Sequence, residues 1–267
     1  MPERGEVYQL TKAIESIFPV GSVINAITSL SSHNPLMIAS GLFPSVVTKI
    51  DSKGKKSYLF FENGYGVLIS YGMSGSITFE RGEHSMVLFK GPTGECYWES
   101  VRLFKTSEFV YFLTKERVQA ELDKLGYDIL YDQPSREQIL AKFPKRAQIG
   151  CVLSNSSCQS KFAGIGNYLR SMVLYRTKIS PYRLTKEMSD DEKVAIFDTA
   201  KAIVKEVIEM GGHSIYSFKL PGQTLREYDT TPYKKKYQDG DCDYHGNLIV
   251  RVKMGSQNIF WCPAIQK

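Results

Sequence analysis

The sequence predicts an α+β fold, with a β-rich first half and a helical second half. Three observations point to it: an amphipathic helix near the start, a series of short β-rich runs broken by turns, and a run of helical patterns that ends in a basic hairpin. Val7, Leu10, Ile14 and Ile17 recur at spacings of three and four, which gives residues 5–18 one apolar helical face. From about 20 to 105 the period shortens. Ser57 to Phe61 and Val67 to Tyr71 flank Glu62-Asn63-Gly64-Tyr65-Gly66, a hairpin signature. Ser76 to Phe79, Met86 to Phe89 and Cys96 to Trp98 read as further strands, and Gly91-Pro92-Thr93-Gly94 as a turn. These runs suit a sandwich or a barrel.

The second half changes period again. Thr106 to Gly126 reads as a helix stopped by Gly126. Pro134 to Phe143, Gly150 to Ser157 and Gly166 to Thr177 read as three more helices. Ser189-Asp190-Asp191-Glu192 is a capping box before a long helix ending at Gly211-Gly212. Residues 213–235 are irregular, and Gly246 to Arg251 with Asn258 to Cys262 read as a hairpin. The domain boundary is expected near 130.

The chain has 267 residues, 42% of them apolar and 23% charged, which is an ordinary globular composition. Its net charge of +6 leans toward a polyanionic partner, because Lys and Arg that neutralise phosphates release condensed counterions. The five cysteines, Cys96, Cys151, Cys158, Cys242 and Cys262, are odd in number and contain no C-x-x-C pair. That argues against a disulfide framework and against a four-cysteine zinc site. No run of 18 apolar residues and no basic-then-apolar leader occurs, so an intracellular protein, nuclear or cytoplasmic, is expected.

Three stretches carry chemistry. The first is Met1-Pro2-Glu3. Removal of Met1 would expose a proline amine. An α-amine titrates at about 7.7–8 against about 10.4 for lysine, so about a tenth of it is free base at neutral pH. Such an amine can form an iminium with an aldehyde. A helix starting beside it adds positive potential, which lowers the amine pKa further and favours a carboxylate there. Glu3 stands where a general acid is needed. The second stretch is Lys161-Phe162-Ala163-Gly164-Ile165-Gly166-Asn167-Tyr168-Leu169-Arg170. A glycine turn opening a helix presents backbone N–H groups to phosphate, and Lys161, Asn167 and Arg170 beside it suit the same anion. The dinucleotide fingerprint does not apply, since its third glycine is missing and no strand is expected before the turn. The third stretch is the tail, Trp261 to Gln266, behind Arg251, Lys253 and the basic residues 234–236.

Taken together these stretches resemble the Fpg/Nei family, the formamidopyrimidine-DNA glycosylases and endonuclease VIII-like enzymes. Met1-Pro2-Glu3-Arg4-Gly5-Glu6-Val7 is similar to the family's M-P-E-x-P-E-V, with Gly5 for the second proline. Tyr71-Gly72-Met73-Ser74-Gly75 is similar to L-G-M-S-G, with Tyr71 for leucine. Ala163 to Leu169 is similar to the core of the helix–two-turn–helix motif, and Trp261 to Gln266 to the end of the family's finger. The resemblance runs along the whole chain.

It implies an N-terminal helix and β-sandwich domain over 1–130, a helix–two-turn–helix domain over 131–235, and a finger hairpin over 236–267. It implies a bifunctional DNA glycosylase and AP lyase that removes oxidised bases and cleaves the strand by β- and δ-elimination. Pro2 would attack the sugar C1′, Glu3 would protonate the opened sugar, and Glu6 would organise the site. A hairpin lysine would act as a further acid. Lys55 fits the family's frequent G-K, and Lys56 fits a spacing of 17 to Met73 and is slightly preferred. Met73, Arg102 and Phe104 would fill the gap left by the extruded base. The implied partner is damaged DNA, bound by a monomer without a cofactor.

The finger departs from the family. Cys262 occupies the third zinc position, but Ile265 stands at the fourth and no upstream pair exists, so a zincless finger without metal is expected. Gln257 replaces the finger arginine, with Arg251 or Lys253 as the candidates to compensate, and Met172 replaces a common glutamate. Two other readings remain open at this level: a damaged-DNA-binding protein with weakened catalysis, and an RNA-binding helix–two-turn–helix protein.

Overall fold

A computed structural model describes residues 2–31, 41–101, 109–211, 228–234, 236–255 and 257–267, with Asn155 and Ser156 described in the backbone alone. Two compact units emerge, 1–124 with 207–227, and 125–206 with 228–267.

The first unit opens with helix α1 (Arg4–Ile17), whose buried stripe is Val7, Leu10 and Ile14, as the periodicity predicts. Its start is built locally. Glu6 accepts the Glu3 N–H at 2.9 Å, the reach-back half of a capping box. The strands follow as β1 (Val23–Ile24), β2 (Ala26–Ser29), β3 (Ser45–Lys53), β4 (Lys56–Phe61), β5 (Tyr65–Ser70), β6 (Gly75–Thr78), β7 (Ser85–Gly91), β8 (Gly94–Ser100) and β9 (Val110–Thr114). They form two antiparallel sheets, ordered β1-β3-β4-β5-β9 and β2-β7-β8-β6. Leu59, Val67 and Ile69 of the larger sheet share one core with Val87, Phe89 and Trp98 of the smaller and with the α1 stripe. Each such side chain contributes about 1.5–3 kcal/mol on burial. A sandwich with α1 packed on strands of both sheets results.

Residues 109–123 correct the expectation of one helix over 106–126. Val110-Tyr-Phe-Leu is a β-branched and aromatic run that pairs with β5, from Tyr65↔Thr114 to Ile69↔Val110. Only then does helix α2 (Lys115–Asp123) begin, capped by the Thr114 hydroxyl, which accepts the Arg117 N–H at 3.4 Å. Strand pairing wins because an unpaired edge of β5 would otherwise stand open. Gly126 serves a different need from stopping a helix. A Cβ there would lie 2.2 Å from the Lys161 carbonyl oxygen, so only glycine permits this backbone approach.

In the second unit β10 (Tyr127–Asp128), α3 (Arg136–Leu140), α4 (Ile149–Val152) and α5 (Asn155–Cys158) precede β11 (Phe162–Ala163) and α6 (Asn167–Arg176). The short β11 pairs in parallel with β10, so a strand does precede the glycine turn, contrary to expectation. Helix α7 (Asp190–Glu209) carries the predicted capping box: Ser189 and Glu192 exchange bonds of 3.1 and 2.7 Å.

The tail hairpin is β12 (Val250–Met254) and β13 (Gln257–Trp261), four residues later at its start than predicted. Residues before it are held by Asp243 instead. Its carboxylate accepts from the N–H groups of His245 and Asn247, both at 2.9 Å, from the Asn247 side-chain amide at 3.2 Å and from the Tyr175 hydroxyl at 2.8 Å. These polar bonds outcompete ladder pairing at 243–247. Residues 212–227, where irregular structure is expected, lie outside the described residues.

Burial works to raise the Asp243 pKa, but its four donors outweigh that and hold it below the ordinary aspartate range. The native state therefore favours the ionised form. The stability this gives is present above the unfolded aspartate pKa and is lost as pH falls through the lower native value. Asp243→Asn, which cannot accept from Tyr175 and Asn247 through its second atom, is expected to cost about 1–3 kcal/mol at neutral pH. It should also flatten the loss of stability between about pH 5 and 2, read by thermal melts across pH.

Candidate active site and nucleic-acid contacts

The first turn of α1 concentrates charge where little water reaches. Glu3, Arg4 and Glu6 are each at most 1% exposed, and Pro2 is buried beside them. The Arg4 guanidinium reaches β3 and donates to the Ser52 hydroxyl at 3.1 Å and to the Ser52 carbonyl at 3.3 Å. Ser52 lies two residues before the Gly54-Lys55 turn that joins β3 to β4, so Arg4 ties the N-terminus to this hairpin. Gly54 has φ of +58° at the first central position of a two-residue loop, as a type II′ turn requires.

Alternation along β4 separates the two candidate lysines. Ser57 faces α1, where its hydroxyl meets Thr11 at 2.6 Å. Lys56 therefore projects to the opposite face. There it lines a cavity of about 540 Å³ with Leu68, Ser70, Tyr111, Leu113, Arg117 and Glu121. Burial lowers the Lys56 pKa, Glu121 raises it in part, and Lys124 lowers it again. A one-residue shift in a strand exchanges faces, so Lys55 and Lys56 stand in different surroundings. Lys55 is half-buried in the turn that follows the Arg4 contact at Ser52.

A hydroxyl chain runs beneath the site. Thr11 donates to the Val7 carbonyl at 2.8 Å, so Ser57 must donate to Thr11 and Tyr71 to Ser57 at 2.8 Å. Burial pushes the Tyr71 phenol far up, so it stays a donor. Tyr71 thereby anchors the loop Gly72-Met73-Ser74-Gly75 to α1. Gly75 N–H closes that loop on the Tyr71 carbonyl at 2.6 Å. Met73 stands at its tip, 44% exposed, the exposed apolar tip a wedge needs. Sequence reasoning registers Tyr71 only as a departure from leucine and passes over Arg4 and Ser57. A charged residue in the first turn of a helix beside two acids is the available signal. Arg102 and Phe104 lie outside the described residues.

The second unit builds its own anion-facing turn. Gly164 has φ of +110°, and Gln159 locks the turn by accepting the Gly164 N–H at 3.0 Å and donating to the Ile165 carbonyl at 2.6 Å. Asn167 then starts α6. Lys161 directs its ammonium to the Ser157 carbonyl and hydroxyl, at 2.7 and 3.1 Å. Arg170 is fully buried, so the expected phosphate contact is corrected to a structural one. It donates to the Gly150 carbonyl, to the Asn167 side chain and to the Asn258 carbonyl of β13, at 3.1, 2.7 and 2.9 Å. One side chain thus fixes Asn167 and the finger to the same helix.

In the finger, Arg251 and Lys253 are exposed on one face of the ribbon, and Arg251 lies 4.9 Å over the Tyr237 ring. Gln257 pairs with Met254 and so belongs to the other face. The two cations and Gln257 thus present to opposite faces of the ribbon. Cys262 is buried and Cys242 exposed, and Ile265 offers no donor, so these residues do not fit a tetrahedral zinc site.

Residues 125–219 match the family model for the formamidopyrimidine-DNA glycosylase H2TH domain. Curated relatives align over the whole chain. The formamidopyrimidine-DNA glycosylase of Streptococcus pneumoniae is 27% identical and covers 100% of this chain and 99% of its own. That of Lactococcus lactis subsp. cremoris is 25% identical with complete coverage of both. Among solved structures, the MutM (Fpg) protein of Thermus thermophilus superposes with a TM-score of 0.84 at 18% identity, over 99% of this chain and 98% of that one. A Lactococcus lactis Fpg variant in complex with Fapy-dG-containing DNA gives 0.78 at 20%, over the full length of both. Residues 125–219 thus carry the H2TH domain of formamidopyrimidine-DNA glycosylases, and the chain as a whole is similar to proteins of that name from end to end.

Proposed function

We propose that this protein is a DNA glycosylase of base excision repair that also cleaves the strand at the resulting abasic site. One observation carries the reading: two buried carboxylates and a buried guanidinium directly follow Pro2 at the start of a helix, and the same guanidinium is bonded to Ser52 just before a lysine-bearing turn. Buried charge of this density is costly unless function requires it. Curated relatives named formamidopyrimidine-DNA glycosylase support the substrate class.

In this mechanism the Pro2 amine, as free base, forms a bond to C1′ while the bond from C1′ to the damaged base breaks and the base leaves with a proton. The C1′–O4′ bond then opens, and protonated Glu3 gives its proton to O4′. The product is a cationic iminium, an electron sink. Loss of a C2′ proton to a carboxylate and departure of the 3′ phosphate complete β-elimination, and loss of the 5′ phosphate in a second elimination is δ-elimination. Glu6 holds the Glu3 backbone in place. Lys55 supplies a further proton and a phosphate contact. Met73 fills the vacated stack. Asn167 and the N–H groups at the α6 start contact phosphate, as do Lys161, Arg251 and Lys253 in lesser measure, and Gln257 gives a neutral contact where a guanidinium would bind more tightly. The protein acts as an intracellular monomer, with a finger that needs no zinc.

Borohydride should trap a covalent adduct on DNA with an oxidised base, and Pro2→Gly or an N-terminal extension should abolish it. Glu3→Gln should slow base excision by about 100-fold or more while sparing cleavage at a preformed abasic aldehyde, whose ring is already open. An undiminished adduct in the Pro2 variants would remove the nucleophile assignment.

The hairpin makes a second test. Lys55→Ala should lower lesion cleavage by about tenfold, and Lys56→Ala should leave it within about threefold of the parent. The reverse ranking, in single-turnover assays, would restore Lys56.

A further inference from the structure

Outside the groups used above, the second unit carries a basic concavity. A cavity of about 670 Å³ is lined by Leu140, Phe143 and Pro144 on its floor and by Lys145, Arg146, Lys186 and Lys193 around its rim. Lys145, Arg146 and Lys186 are exposed, and among the described residues no acid pairs with them. Of the four rim cations only Lys193 has such a partner, Asp190 at 3.3 Å, which is also the one acidic residue lining the cavity. Three unpaired cations and a fourth held together around one hollow repel each other, and an anionic occupant relieves that repulsion.

The walls are well fixed. Thr185 N–H donates to the Ala147 carbonyl at 2.9 Å, the Thr185 hydroxyl donates to the Pro144 carbonyl, and Ile149 N–H reaches the Arg183 carbonyl at 3.0 Å. The two segments that bear the cations are therefore laced together by backbone, and the hollow between them is preformed.

The floor decides the kind of anion. A nucleic-acid strand uses exposed aromatic faces on which bases stack. Here the one aromatic residue, Phe143, is buried and packed on Phe162 at 5.4 Å, and the accessible floor is aliphatic. An aliphatic floor inside a cationic rim matches a peptide that inserts an apolar side chain and lays carboxylates on the rim.

We propose that this cavity is a docking site for an acidic peptide segment of a partner protein, with one bulky apolar side chain seated on Leu140 and Pro144. The site uses none of the residues assigned to catalysis and stands whether or not the glycosylase reading does.

The test uses the intact protein and a fluorescein-labelled hexapeptide of four aspartates followed by leucine and phenylalanine, read by anisotropy. Binding should weaken about tenfold or more in the double variant Arg146→Glu/Lys186→Glu, in Ala141→Asp at the cavity wall, and when the leucine and phenylalanine of the probe become serine. Circular dichroism melts confirm that the variants fold, and strand cleavage of lesion DNA should be unchanged in them. Equal binding by parent and charge-reversed protein would overturn the proposal. So would loss of affinity for a labelled single-stranded oligonucleotide in the variants with the peptide unaffected, since the occupant would then be nucleic acid.

Discussion

The first turn of α1 is tied to the sheet by the buried guanidinium of Arg4 on Ser52. Three charged side chains at this turn have almost no contact with water. Removing such groups from solvent costs several kcal/mol each unless their charges and hydrogen-bonding atoms are matched. Arg4 supplies the match from the helix side and Ser52 receives it from the sheet side. The consequence is positional. The start of α1, with Pro2 and Glu3, and the β3–β4 turn, with Lys55, cannot move independently. The Tyr71-Ser57-Thr11 chain extends the same constraint to the loop that carries Met73. The proposed active groups come from three separate stretches of sequence, yet each stretch is tied to one helix.

The second unit shows the same economy with Arg170. Three of its acceptors lie on α4, α6 and β13, and two of these are backbone carbonyls that would otherwise need another donor. The tail hairpin has the Arg170 bond to the Asn258 carbonyl within it and the Asp243–Tyr175 bond just before it. Both are polar crosslinks to α6, and they help so small a hairpin keep a defined register.

The sequence made the ends of this arrangement plain and hid its middle. Helix α1, the cap at Ser189, most strands of the sandwich and the Gly164-Asn167 turn follow from periodicity and from residues with special backbone needs. The hairpin lysine does not, because adjacent lysines satisfy composition equally and only the register of β4 tells which face each takes. Nor does β9, whose Val-Tyr-Phe-Leu run fits a helix or a strand until its partner β5 is in place. Arg170 reads as a phosphate ligand because it sits beside a glycine turn, yet it is fully buried, and the carbonyls of Gly150 and Asn258, brought in from elsewhere in the chain, accept from it. In each case the deciding partner is distant in sequence.

The chemistry turns on which nitrogen becomes bonded to the sugar. Digestion of the borohydride-reduced protein–DNA adduct, followed by mass spectrometry of the modified peptide, answers that directly. The mass of the deoxyribose remnant should lie on Pro2 at the start of the N-terminal peptide, with Met1 absent. A remnant on Lys55, Lys56 or any other lysine, with the N-terminal peptide unmodified, would contradict the account.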